Sequence, residues 1–141
     1  MRVFDTSVLL GALERREGPA RRAVVDELLQ AEAGGDLPAI SAVTVTEVLR
    51  GAASEQDVNR LLALLAPFDV LNLGREEAEL AAALGAAVDA RSLPRKSRPG
   101  PADVLIAGTA AFHDAELVTC DAEFAAFPDS LRVTILAGED H

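Results

Sequence analysis

The chain has 141 residues, half of them apolar and only 4% aromatic, with a net charge of −10. That length buries a real core but leaves little room for two, so residues 1–141 read as one domain built on Leu, Val, Ala and Ile. The charge argues against broad electrostatic binding to nucleic acid, and the single cysteine, Cys120, excludes an intrachain disulfide. No leader-like N-terminus or long uncharged apolar run is read, so the expectation is a soluble cytoplasmic protein with no membrane contact.

Residues 2–5 read as a short buried strand, followed by a helical stretch at 8–16 that Gly18-Pro19 breaks. Apolar residues at helical spacing predict a helix over 20–33, closed by Gly34-Gly35. A strand at 38–41 leads into a helix at 43–53, with Ser41 or Thr44 as its cap, and a further helix covers 55–66. Pro67 closes that helix before a strand at 68–73. An Ala/Leu/Glu helix spans 75–90, and 91–101 is a Pro/Arg-rich loop. Pro101 suits the first turn of a helix over 101–113. A strand at 116–119, a short helix at 121–126 and a last strand at 131–136 complete the chain. Short apolar strands alternating with helices indicate an α/β fold, a parallel sheet covered on both faces.

In such sheets ligands bind outside the carboxyl ends of the strands. Asp5 ends the first strand, Asp121 lies just beyond the 116–119 strand, and Glu47 sits in the helix after the second strand. Asp103 opens the helix that precedes the 116–119 strand. The strand-end rule sets that helix start at the opposite end, unless the helix is long or displaced. Taken singly, each acid suits a cap, a turn or a surface charge. Converged, they would repel one another and call for hard cations such as Mg²⁺ or Mn²⁺, which bridge carboxylates to phosphate. Zinc fits poorly, because Cys120 is alone and His113 and His141 lack a partner motif. His113 reads as a helix-end residue and His141 as a tail residue.

Thr6, Ser7 and Thr119 set hydroxyls beside these acids, to orient a carboxylate or touch phosphate, or simply to cap backbone. Ser7 has no His–acid arrangement to make it a nucleophile, and Cys120 reads as a buried, inert thiol. Arg91, Arg95, Lys96 and Arg98 give the 91–98 segment four cations and no acid. That composition suits phosphate or an acidic partner, and equally a solvated loop.

The segments VFDTSVLL, TVTEVLRG, PADVLIAGTA and LVTCDAEF, in this order, resemble those of a PIN domain. The length resembles that of VapC-type toxin ribonucleases of bacterial toxin–antitoxin pairs. The resemblance covers nearly the whole chain. It implies a three-layer fold with helices on both faces of a parallel sheet in the order 3-2-1-4-5. It implies Asp5, Glu47, Asp103 and Asp121 as catalytic acids, supported by Thr6 or Ser7 and by Thr119. Asp5, Asp103 and Asp121 would hold Mg²⁺ or Mn²⁺, with Glu47 completing or orienting the cluster. It also brings Asp103 to the pocket, against the strand-end rule above.

Further implications are RNA hydrolysis by a metal-activated water, a homodimer, and a VapB-like antitoxin whose C-terminal segment occupies the active-site groove. Arg91, Arg95, Lys96 and Arg98 would then meet RNA or antitoxin acids. Three features depart from the pattern: the proline-rich approach RPGPAD, Cys120 at a position often polar or basic, and Glu123 as an additional outer-shell acid. Two rivals stand beside this reading. A haloacid-dehalogenase-like phosphatase or phospho-acceptor would favour an acid where Ser7 stands and a lysine after a late strand, yet the sole lysine is Lys96. A non-catalytic PIN-like interaction module would keep the acids for folding or partner binding.

Overall fold

Successive residues of a strand face opposite sides of a sheet, and the short apolar runs of this chain supply both sides. The computed structural model describes residues 1–14 and 17–136. Arg15, Arg16 and residues 137–141, His141 among them, lie outside the described residues, as does the end of the helix expected over 8–16. The elements run β1 (Arg2–Phe4), α1 (Thr6–Glu14), α2 (Pro19–Glu32), β2 (Ala39–Ser41), α3 (Ala42–Arg50), α4 (Glu55–Leu65), β3 (Asp69–Leu71), α5 (Arg75–Asp89), α6 (Pro101–Phe112), β4 (Glu116–Thr119) and β5 (Val133–Ile135). Short 3₁₀ turns form at Arg95–Ser97, inside the expected loop, and at Ala122–Ala126, within the short helix expected over 121–126.

The five strands form one sheet in the order β3-β2-β1-β4-β5, as the resemblance implies, and every neighbouring pair is parallel. Register explains the two cores. Val3 lies beside Ala39 and Leu117, and all three enter a core with Ile106, Ala110 and Phe124 under α5 and α6. Phe4 lies beside Ile40 and Val118, and these three pack with Val8, Val24, Val48 and Leu61 under the helices of the other face. Each side chain of this central layer is fully buried, worth about 1.5–3 kcal/mol apiece for the larger ones.

Local chemistry sets the helix starts. Helix α1 begins at Thr6, earlier than expected, because Asp5 Oδ1 accepts the Val8 N–H at 3.2 Å and caps it. Ser41, rather than Thr44, caps α3 through the Val43 N–H, and Pro101 opens α6 as expected. Gly34 ends α2 in the left-handed region at φ 97°. At the amino edge of the sheet, Arg2 lies between Glu27 of α2 and Glu116 of β4, tying helix to sheet. No helix among the described residues is long and apolar enough to cross a membrane.

Helices α5 and α6 approach closely at Gly108. A methyl added there would stand 2.6 Å from both the Ala81 Cβ and the Glu77 carbonyl oxygen. Gly108→Ala gains up to about 1 kcal/mol of helix propensity, but backbone cannot yield as a side-chain tip does, and overpacking costs about 1–3 kcal/mol. The overpacking wins. Urea denaturation should show Gly108→Ala destabilised by about 1–2 kcal/mol; a stabilised variant would mean that the helices part freely.

Candidate metal centre

The carboxyl edge of the sheet gathers the acids. Asp5 follows β1 directly and is 2% exposed. Three donors hold it: Ser7 Oγ at 2.6 Å and the Val8 N–H on Oδ1, and Thr119 Oγ1 at 2.7 Å on Oδ2. A carboxylate oxygen offers two lone-pair sites. Oδ1 is therefore filled, and Oδ2 keeps one site for an incoming cation. Ser7 Oγ and Thr119 Oγ1 in turn accept the N–H groups of Cys120 and Asp121, at 3.0 and 2.9 Å. Each hydroxyl thus has its proton committed to Asp5. Burial pushes the Asp5 carboxyl up; the Ser7, Thr119 and Val8 donors pull it back, and the Asp121 charge adds to the rise.

Glu47, half-buried on α3, accepts the Thr6 hydroxyl at 2.6 Å. The buried Thr44 hydroxyl lies 3.1 Å from that of Thr6. Asp103, in the first turn of α6, accepts the Gly100 N–H at 3.3 Å, and Asp121 accepts the Glu123 N–H at 2.9 Å. Ligand oxygens of Asp103, Asp121 and Glu123 lie within 4.8 Å of one another. Glu123, expected as an additional acid, joins this group because the turn after Asp121 folds it back.

The placement of Asp103 corrects the strand-end argument. Helix α6 ends where β4 begins, and its start lies against Asp121 at the end of β4. A helix feeding a parallel strand runs antiparallel to it, so its N-terminus belongs at the carboxyl edge. No unusual length is needed; α6 has 12 residues. Burial, together with the charges of Asp121, Asp5 and Glu47, pushes the Asp103 carboxyl up to about 6, against the Gly100 N–H. All four expected acids therefore act on one pocket, and no cation is among the causes. Hard oxygen donors in an uncompensated cluster suit a divalent ion of the Mg²⁺ or Mn²⁺ type.

Other expected residues divide. Arg91 Nη1 donates to the Ala126 carbonyl at 2.8 Å, and Arg98 Nε to the Leu93 carbonyl at 2.7 Å. Arg95 and Lys96 are exposed on their 3₁₀ turn, which packs against the turn after Asp121. The Cys120 thiol is half-buried rather than buried, and His113 ends α6 against the Phe112 ring.

The sequence model of the PIN domain matches residues 2–129. The chain belongs to the PIN-domain family. No curated protein gives a significant sequence match. Among solved structures, this PIN domain resembles VapBC2 from Rickettsia felis, bound to a promoter DNA fragment, with a TM-score of 0.76 and 21% identity over 95% of this chain and 97% of that one. DNA-bound VapBC from Salmonella typhimurium gives 0.73 and 20%, covering 95% and 96%. A toxin–antitoxin complex from Klebsiella pneumoniae gives 0.67 and 29%, again covering 95% and 96%. PIN domains of this kind are generally nucleases that use divalent metal.

The raised Asp103 carboxyl has a pH signature. With a folded value of about 6 against an ordinary 3.8, the folded state binds the extra proton between those limits, so this group's contribution to stability falls as pH rises through them. Asp103→Asn removes the penalty. In chelator, the variant should melt above the wild type at pH 7.5, with the gain shrinking as pH falls below about 6 and lost near 3.8. A gain independent of pH would contradict the electrostatic account.

Proposed function

We propose that this PIN domain is a divalent-metal-dependent endoribonuclease, the toxin of a toxin–antitoxin pair, working as a homodimer restrained by a VapB-like antitoxin. One observation carries the reading: Asp103, Asp121 and Glu123 converge within 4.8 Å, beside Asp5 and Glu47, with no cation among the described residues to offset them. Asp103, Asp121 and the open side of Asp5 Oδ2 would hold the ion, with Glu47 and Glu123 completing the set. A bound Mg²⁺ or Mn²⁺ supplies positive charge to phosphodiester oxygens and lowers the pKa of water.

The chain's own groups do the positioning. Ser7 and Thr119 lock the Asp5 carboxylate, and Thr6 locks Glu47, so that little reorganisation accompanies reaction. Arg95 and Lys96 are the loop cations left to meet an RNA backbone, while Arg91 and Arg98 brace the loop through carbonyls. The antitoxin part is supported by the complexes formed by the structural neighbours. It is also supported by an apolar cavity of about 230 Å³ between α1, α2 and α4, lined by Leu9, Leu13, Val24, Leu28 and Phe68. A groove of this kind suits the apolar face of a partner helix.

Cleavage of total cellular RNA, with and without Mg²⁺ or Mn²⁺, tests the reading. Asp5→Asn should abolish metal-dependent cleavage in a folded protein; cleavage at the wild-type rate would remove Asp5 from the site, and an aspartyl-phosphate trapped on it would point to a phosphatase. Neutralising Arg95 and Lys96 together should flatten the dependence of log affinity on log salt for single-stranded RNA by about 1.4. An unchanged slope would return both residues to the solvated surface.

A further inference from the structure

Glu47 rides on α3 and Asp103 on α6, and their charges oppose one another across the pocket. Neither carboxylate bonds the other: Glu47 is held from Thr6 and Asp103 from Gly100. Their spacing must therefore be set by the helices that carry them. Among the described residues, one hydrogen-bonded link joins the start of α3 to α6. Ser41 Oγ and Thr109 Oγ1, both fully buried, lie 3.1 Å apart.

Proton accounting fixes the direction of this link. Each hydroxyl has one proton. Thr109 Oγ1 donates its proton to the Leu105 carbonyl at 3.0 Å, so it accepts from Ser41. Ser41 Oγ accepts the Val43 N–H at 3.2 Å, so its own proton is free to go to Thr109. The relay runs from the Val43 N–H through Ser41 and Thr109 to the Leu105 carbonyl. It starts one helical turn before Glu47 and ends two residues after Asp103. Val43 and Val104, beside these ends, pack on the same apolar core. Sliding or rotating α6 against α3 would leave the buried Ser41 proton without its acceptor, which is unfavourable, so one register is selected.

We propose that Ser41 and Thr109 are positioning residues of the acidic pocket, whose buried hydroxyl relay sets the separation of Asp103 from Glu47. The proposal rests on the reading of that pocket as a divalent-ion site. It concerns affinity for the ion, which a purely structural bond would leave alone.

Mn²⁺ binding, measured by calorimetry or electron paramagnetic resonance on the whole chain, tests it without reference to cleavage. Thr109→Val keeps the shape and removes the hydroxyl; Thr109→Ser keeps the hydroxyl. The valine variant should bind Mn²⁺ about tenfold more weakly, and the serine variant should bind as the wild type does. Leu65→Ala, destabilised in the opposite core, should retain wild-type affinity. A folded Thr109→Val with wild-type affinity overturns the proposal alone, whereas a wild type that binds no Mn²⁺ overturns the reading of the pocket as well. If Thr109→Val does not fold, Ser41→Ala cuts the relay at its other end and faces the same comparison. Should neither fold, the relay serves the fold and not the pocket, and the proposal falls.

Discussion

Bringing Asp5, Glu47, Asp103 and Asp121 to one edge of a sheet sets like charges against one another in a partly desolvated place. The protein counters this with neutral donors in preference to cations. Hydroxyls of Ser7, Thr119 and Thr6 and the N–H groups of Val8, Gly100 and Glu123 each hold one acid. The arrangement fixes where the oxygens lie while leaving the net negative charge in place. A pocket lined with arginines would be more comfortable empty and of less use to a cation.

This constraint also explains the division of polar chemistry along the strands. At the amino edge, Arg2 meets Glu27 and Glu116, so charge is paired and serves cohesion. At the carboxyl edge the acids, among the described residues, meet neutral donors and one another. Between the two lies an apolar layer, Val3 with Ala39 and Leu117 on one side and Phe4 with Ile40 and Val118 on the other. Alternating strand geometry places such a layer between the two chemistries, and short strands keep it thin.

Much of this was legible in the chain. Apolar periodicity and the Gly and Pro breaks located the strands and helices, because each run buries itself by a local rule. Asp5 and Asp121 were legible as acids at strand ends. The strands β3 and β5 are shorter than expected: Phe68, Asn72, Leu73, Leu131, Arg132 and Leu136 lie outside their spans, although Arg132 and Leu136 still exchange backbone hydrogen bonds with Leu117 and Thr119, since apolar character does not reveal where a strand ends. Asp103 was misjudged for a different reason. The antiparallel sense of helix and strand returns the helix start to the carboxyl edge, and the strand-end rule alone does not contain it. Strand order was legible only through family resemblance, and the Ser41–Thr109 link, spanning 68 residues, leaves no local pattern to read. Glu123 stood in view two residues after Asp121, but only the tightness of its turn decided that it would face the cluster.

Asp5 is both the cap of α1 and one of the acids of the pocket, and Thr119, which completes its hydrogen bonds, lies 114 residues away. Strand β1 occupies the middle of the sheet, between β2, which follows it closely in the chain, and β4, which lies far along it. A chain still leaving the ribosome can form the first helix, yet it has neither the donor for Oδ2 nor Asp121 and Glu123. The pocket is therefore completed only by β4 and the turn that follows it, on which β5 then adds the edge strand.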